Sequence, residues 1–211
     1  MAFDHQGNMD DWLIVEKIED VVVGSSIPYN YEKSKFNKNS GGKKMIVTST
    51  GIVNGIIEDK YGKHGSQFNE NGMPTYSLPL KIEDAPEGTK SFALVLEDKD
   101  AFPVTGGFSW IHWTAANITR NELLENESQT ATDFVQGANS CMSIQGGRQS
   151  RALSSFYGGM APPNAPHIYE MHVYALNILL ELDNGFYYNE LYRQMEGHIL
   201  DQVTIKGAYR D

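Results

Sequence analysis

Apolar residues recur at helical spacing near the start of the chain, then give way after residue 45 to short apolar runs of the kind strands make. Trp12, Leu13, Val15, Ile18, Val21 and Val22 trace one side of a helix. Asp10 and Asp11 stand where acidic side chains favour a helix start, and Gly24 where a helix can stop. Asn37 to Lys44 reads Asn-Lys-Asn-Ser-Gly-Gly-Lys-Lys, a linker composition. Residues 1–44 are expected to form a helical extension and linker, and residues 45–211 the main domain. The helix either packs on its own domain or supplies a homodimer contact.

Beyond residue 45 the pattern is β-rich. Ile46, Val47, Ile52, Val53, Ile56 and Ile57 form short runs parted by Gly51 and Gly55. Glu83 to Lys90 is a turn around Pro86 and Gly88, and Ser91 to Glu97 is a strand apolar on both faces. Trp110 to Ile118 is the next strand. Thr119 and Glu122 have capping-box spacing and predict a short helix. Asn126 to Gln149 is polar and loop-like. His167 to Leu176 is a strand, Asn189 to about Gln202 a helix, and Val203 to Tyr209 a short last strand.

The chain has 211 residues and is 40% hydrophobic and 21% charged, one domain's worth of ordinary globular composition. Its net charge of −10 disfavours nucleic acid and anionic membrane surfaces as partners. A run of about 18 apolar residues, which a membrane span needs, is missing. Cys141 is the only cysteine, which forbids an internal disulfide and suits a reducing compartment. It reads as a small buried residue rather than a reactive thiol. The acidic N-terminus lacks the features of a secretory signal, so a cytoplasmic protein is expected.

Polar residues of chemical interest fall in three stretches. The first, Asp98-Lys99-Asp100-Ala101-Phe102-Pro103, follows the buried strand, where a strand opens into a loop and sites commonly form. The second runs from Gly106 to Trp113, and the third from Tyr157 through Pro162, Pro163 and Pro166 to Tyr169. Strand alternation puts His167 and Tyr169 on one face with Met171 and Val173, and His172 on the other. The same alternation predicts that His112 shares a face with Thr114 and Ala116, opposite Trp113. A histidine in an apolar strand needs a partner or stays neutral, and Asp98 or Asp100 can supply one. Two imidazoles and a phenol offer several donors to an anion's oxygens. A carboxylate behind one imidazole fixes its tautomer.

At these residues the chain resembles the phosphatidylethanolamine-binding protein family, also called Raf kinase inhibitor-like proteins, and its bacterial branch in particular. The family's Asp-Pro-Asp-Ala-Pro signature and following histidine are matched by Asp98 to Pro103 and by His112-Trp113. Its Gly-x-Pro-Pro and His-Arg-Tyr elements are matched by Gly159 to Pro163 and by His167-Ile168-Tyr169. Ala85 to Leu94, Thr48-Ser49 and Gly207 to Arg210 extend the likeness from about Met45 to the C-terminus. The resemblance implies a mainly β fold, a large antiparallel sheet packed on a smaller one with a few peripheral helices. It implies that Asp98, His112, His167 and Tyr169 line a small anion pocket, with Asp100, Pro103, Pro162 and Pro163 shaping its rim. Three positions depart from the family. Lys99 replaces a proline and is expected to place a cation near the pocket, Phe102 is inserted before Pro103, and Ile168 replaces an arginine.

The function implied is binding without a cofactor. A phospholipid head group or phosphorylated ligand would be held, and a kinase or protease partner modulated. The alternative is a metal-dependent hydrolase in which Asp98, His112 and His167 hold the ion. A serine hydrolase is not supported, since the chain lacks a Gly-x-Ser-x-Gly turn.

Overall fold

The structure is a computed structural model, and it describes residues 44–211. The predicted N-terminal helix, its dimer contact and the linker up to residue 43 lie outside the described residues. Among the described residues there are ten strands and three short α-helices. They are β1 (Ile46–Thr48), β2 (Ile52–Val53), β3 (Ile56–Ile57), β4 (Leu80–Glu83), β5 (Ser91–Asp98), α1 (Phe102–Thr105), β6 (Trp110–Ile118), β7 (Glu122–Leu123), β8 (Val135–Gln136), α2 (Arg151–Ser154), β9 (His167–Leu176), α3 (Tyr188–Met195) and β10 (Ile199–Tyr209). A seven-stranded sheet has the order β2-β3-β10-β9-β5-β6-β8, and a three-stranded sheet the order β1-β4-β7. All pairs are antiparallel except β3 with β10. The mainly β fold, with a larger sheet and a smaller one, is the one the sequence implied.

Strand β5 explains the architecture. Every one of its eight residues is buried, because apolar layers cover both faces. Phe92, Leu94 and Leu96 join Val47, Leu80, Ile82 and Leu123 of the small sheet in one core layer. Ala93 and Val95 pack instead with Leu191 and Met195 of α3, beside Leu180 and Phe186. A strand between two layers needs no polar alternation, hence its unbroken apolar run.

Two predicted elements are corrected. Thr119 to Glu122 does not open a helix. Glu122 and Leu123 pair with Lys81 and Leu80, so the segment becomes the third strand of the small sheet and buries Leu123. A capping-box spacing is outweighed by an open strand edge and a core site for one leucine. The helix expected to reach about Gln202 ends at Met195. Its apolar side, Leu191 and Met195, is then fully buried, and Gly197 turns the chain at φ +78°. From Ile199 the chain pairs with β9, so the last strand is eleven residues long rather than short.

Leu94 is fully buried at the centre of the main layer. Leu94→Ala is expected to lower the unfolding free energy by about 2–5 kcal/mol. Urea denaturation followed by circular dichroism measures it.

Candidate functional site

The register of the large sheet brings Asp98 of β5 opposite Tyr169 of β9, with His167 two residues from Tyr169 on the same face. Asp98 Oδ2 accepts a hydrogen bond from His167 Nδ1 at 2.8 Å, and its Oδ1 accepts from the backbone N–H of Ala101 at 3.2 Å. This carboxylate therefore fixes the imidazole on one side and the turn leaving β5 on the other. Asp98, His112, His167 and Tyr169 are each no more than 5% exposed.

His112 arrives by a different device. Leu96 pairs with Trp113, but Glu97 pairs with Ile111, so His112 is an extra residue in β6, a β-bulge. The bulge overturns the strict alternation expected of this strand. Its ring meets Tyr169 edge-on at 5.1 Å, so it lies on the Tyr169 side with Trp113, while Thr114 and Ala116 face the other layer. The Ile111 N–H freed at the bulge donates to Ser140 Oγ at 2.8 Å.

A buried network holds this arrangement. Trp113 Nε1 and Ser128 Oγ both donate to Gln136 Oε1, at 2.8 and 2.6 Å. Ser128 Oγ in turn accepts from the Tyr157 N–H at 2.9 Å. That fixes the next residue, Gly158, whose carbonyl accepts from His112 Nδ1 at 2.7 Å. Gly158 also donates its own N–H to the His112 carbonyl at 2.8 Å. With Nδ1 donating, the Nε2 of a neutral His112 ring carries a lone pair.

These side chains line a cavity of about 360 Å³. Pro162 and Pro163 line it too, together with residues that the sequence reading did not single out. Met73, Gln145 and Gln149 come from loops with no periodic signal and Cys141 from a single 3-10 turn, Ser140–Met142, while Trp110 of the second polar stretch lines it from the start of β6. Asp100 and Pro103 are not part of the lining. Asp100 instead accepts the Ile168 N–H at 2.8 Å and ties the α1 turn to β9. Pro103 sits exposed in the first turn of α1, which absorbs the inserted Phe102. Lys99 also departs from expectation. It pairs with Glu170 at 2.6 Å, on the opposite face of the sheet, and not with the cavity. A larger cleft of about 540 Å³ lies beside Arg151, but that guanidinium already donates to the Gly185 carbonyl and covers the Tyr187 ring.

The electrostatics are unusual in three places. Burial pushes His112 below its ordinary 6.5, against the opposing charge of Asp98. Burial, helped by the charge of Asp98, pushes the Tyr169 phenol far up, so it stays protonated. The Cys141 thiol is raised to about 11 by burial, so it stays protonated near neutral pH. The Tyr169 hydroxyl is buried beside the Asp98 carboxylate but makes no hydrogen bond of good geometry. An unpaired buried donor costs free energy, and it points to something that pairs with it.

The family described as phosphatidylethanolamine-binding protein matches residues 48–210. The chain belongs to that family. An uncharacterized Bacillus subtilis protein, YxkA, is 43% identical over 158 residues, 73% of this chain and 94% of that one. A homologue of the family from Chlamydia trachomatis, CT736, has a solved structure with TM-score 0.64 and 30% identity, covering 80% of this chain and 98% of its own. Escherichia coli YbcL, another solved member, has TM-score 0.63 and 27% identity, covering 80% of this chain and 99% of its own. Among the described residues no helix is long and apolar enough to cross a membrane.

The lowered pKa of His112 has a consequence for stability. Its neutral ring contributes fully above pH 6.5, and that contribution is lost as pH falls through the lower folded value. His112→Asn, which keeps a donor for Gly158, is therefore expected to lose less stability than the wild type between pH 7.5 and 5.5. Urea unfolding at the two pH values tests this, and equal losses would count against a neutral buried ring.

Proposed function

We propose that the cavity holds a small anion, the phosphate-like part of a head group or of a phosphorylated ligand. The observation that carries this reading is the Tyr169 hydroxyl, a buried donor without a well-formed hydrogen bond, on a ring that packs against two imidazoles. In this reading Tyr169 Oη donates to one anion oxygen. His167 Nε2, now 3.1 Å from Oδ1 of the exposed Asn164, exchanges that amide for another oxygen and donates to it as an imidazolium, since Nδ1 already donates to Asp98. His112 Nε2 takes up a proton with the anion or accepts one from an acidic oxygen of the ligand. Asp98 keeps His167 oriented throughout. Pro162 and Pro163 stiffen the wall, which lowers the ordering cost of binding.

Family membership supports a binding protein, and the modulated partner implied by the resemblance is a kinase or a protease. A pocket of this size can grip a head group without the chain embedding in a membrane. The metal-hydrolase alternative has less support. Asp98, His112 and His167 are not among the described residues whose ligand atoms converge closely enough for one ion. His112 Nδ1 and His167 Nδ1 are also committed to Gly158 and Asp98.

Tyr169→Phe removes only the hydroxyl. It is expected to leave thermal stability nearly unchanged, because no hydrogen bond of good geometry is lost. Binding of inorganic phosphate, measured by calorimetry, should weaken about tenfold or more, the worth of one hydrogen bond to a charged group. Unchanged phosphate affinity would place the anion elsewhere. Sulfate does not titrate near neutrality, so it isolates the protein's own proton uptake. Its affinity should rise from pH 8 to pH 6 in the wild type and rise less steeply in His112→Asn. A flat wild-type profile would remove His112 from the binding step.

A further inference from the structure

The face of the large sheet turned away from the cavity carries a second polar cluster, built from the same strands. Glu97 of β5 pairs directly with Glu170 of β9, and His172 lies two residues further along β9 on the same face. Two glutamates in direct register repel unless a cation lies between them. Their ligand atoms and that of His172 lie within 4.8 Å of one another. His172 Nε2 is 3.0 Å from Glu97 Oε1 and 3.7 Å from Glu170 Oε2. Ligand atoms held tetrahedrally about 2.1 Å from one zinc-sized ion stand roughly 3.4 Å apart, so these separations bracket the required one.

The outer contacts strengthen the case, because each ligand has its other polar atom occupied. His172 Nδ1 is 2.8 Å from Thr204 Oγ1 on β10. Glu97 Oε2 accepts from Ser109 Oγ at 2.9 Å, and Glu170 Oε1 from Lys206 Nζ at 2.7 Å. What remains is Nε2, Oε1 and Oε2, all turned toward one another. Nε2–H now donates to Glu97 Oε1, so an ion would take the Nε2 lone pair by displacing that proton, with Nδ1–H then donating to Thr204. All three side chains are between 10% and 14% exposed, so the ligand atoms are shielded but reachable. The cation now among them is the ammonium of Lys99, 2.6 Å from Glu170 Oε2 and 3.4 Å from Glu97 Oε1. Its side chain is 52% exposed and can swing out into water.

We propose that Glu97, Glu170 and His172 form a site for a divalent transition-metal ion of the zinc class, with Lys99 as the built-in cation it displaces. One nitrogen and two carboxylate oxygens suit zinc, cobalt or manganese, and the fourth position is left to water. The site is separate from the cavity and does not depend on anion binding there.

Titration of the full chain with zinc chloride against a chromophoric chelator tests the proposal. The wild type should take up an ion that His172→Gln and Glu97→Gln lose, with affinity falling at least about tenfold. Thr204→Val leaves the three ligands in place and should weaken zinc by about tenfold through the imidazole's lost partner. Lys99→Ala removes the competing ammonium and should bind zinc more tightly than the wild type. Circular dichroism checks that each variant is folded. Should a ligand variant fail to fold, Lys99→Ala and Thr204→Val still decide. Zinc affinity that none of these substitutions moves, or no zinc binding by either the wild type or Lys99→Ala, overturns the proposal.

Discussion

The hydrogen bond between Asp98 and His167 is the constraint on which the cavity rests. It joins the last residue of β5 to the first residue of β9, two neighbouring strands that both run through the centre of the large sheet. The pair is buried, so neither partner can fall back on water, and losing one strands the other at a cost of several kcal/mol. The same carboxylate accepts from Ala101, and the next aspartate, Asp100, accepts from Ile168. Two acidic residues thus sew a loop to a strand end, and the cavity opens where that seam leaves room. Tyr169 follows from the register, its ring held between the rings of His112 and Tyr209.

The central strands divide their side chains between two environments. One face of β5 and β9 runs from the apolar core into the cavity, through Leu96 and Met171 to Asp98 and Tyr169. The other runs from the α3 layer into the cluster of Glu97, Glu170 and His172. Alternation along two strands is enough to place unlike chemistry on opposite sides of one sheet, about a strand's thickness apart. The strand ends are where this happens, since there the covering layers thin out and polar atoms find partners among loops and lysines.

Much of this was legible in the sequence. Strands β5, β6 and β9 announce themselves by composition, and the resemblance places Asp98, His112, His167 and Tyr169 together. The facing of His167, Tyr169 and His172 follows from period-two alternation alone. His112 does not, because a bulge is a property of two strands and leaves no mark in one. The short strand at Glu122 and the early end of α3 were hidden for a similar reason: each is decided by a partner far away in the chain, Leu80 in one case and Leu176 in the other. Lys99 shows the limit of neighbourhood arguments. It adjoins Asp98 in the chain, yet an extended backbone sends the two side chains to opposite faces. Met73 enters the cavity from a loop whose path no periodicity describes, and Cys141 from a single 3-10 turn.

The bulge in β6 also bears on how such a cavity can change over evolutionary time. The extra residue is absorbed locally: Trp113 keeps its place opposite Leu96, and Trp110 its place opposite Asp98. A single codon gained or lost at this point therefore adds or deletes an imidazole while both hydrophobic layers keep their alignment. Where the pairing is regular, the same one-residue change would turn a whole strand inside out. The His112 position is thus one of the few in the core strands where the chemistry of the cavity can be rewritten without rewriting the fold.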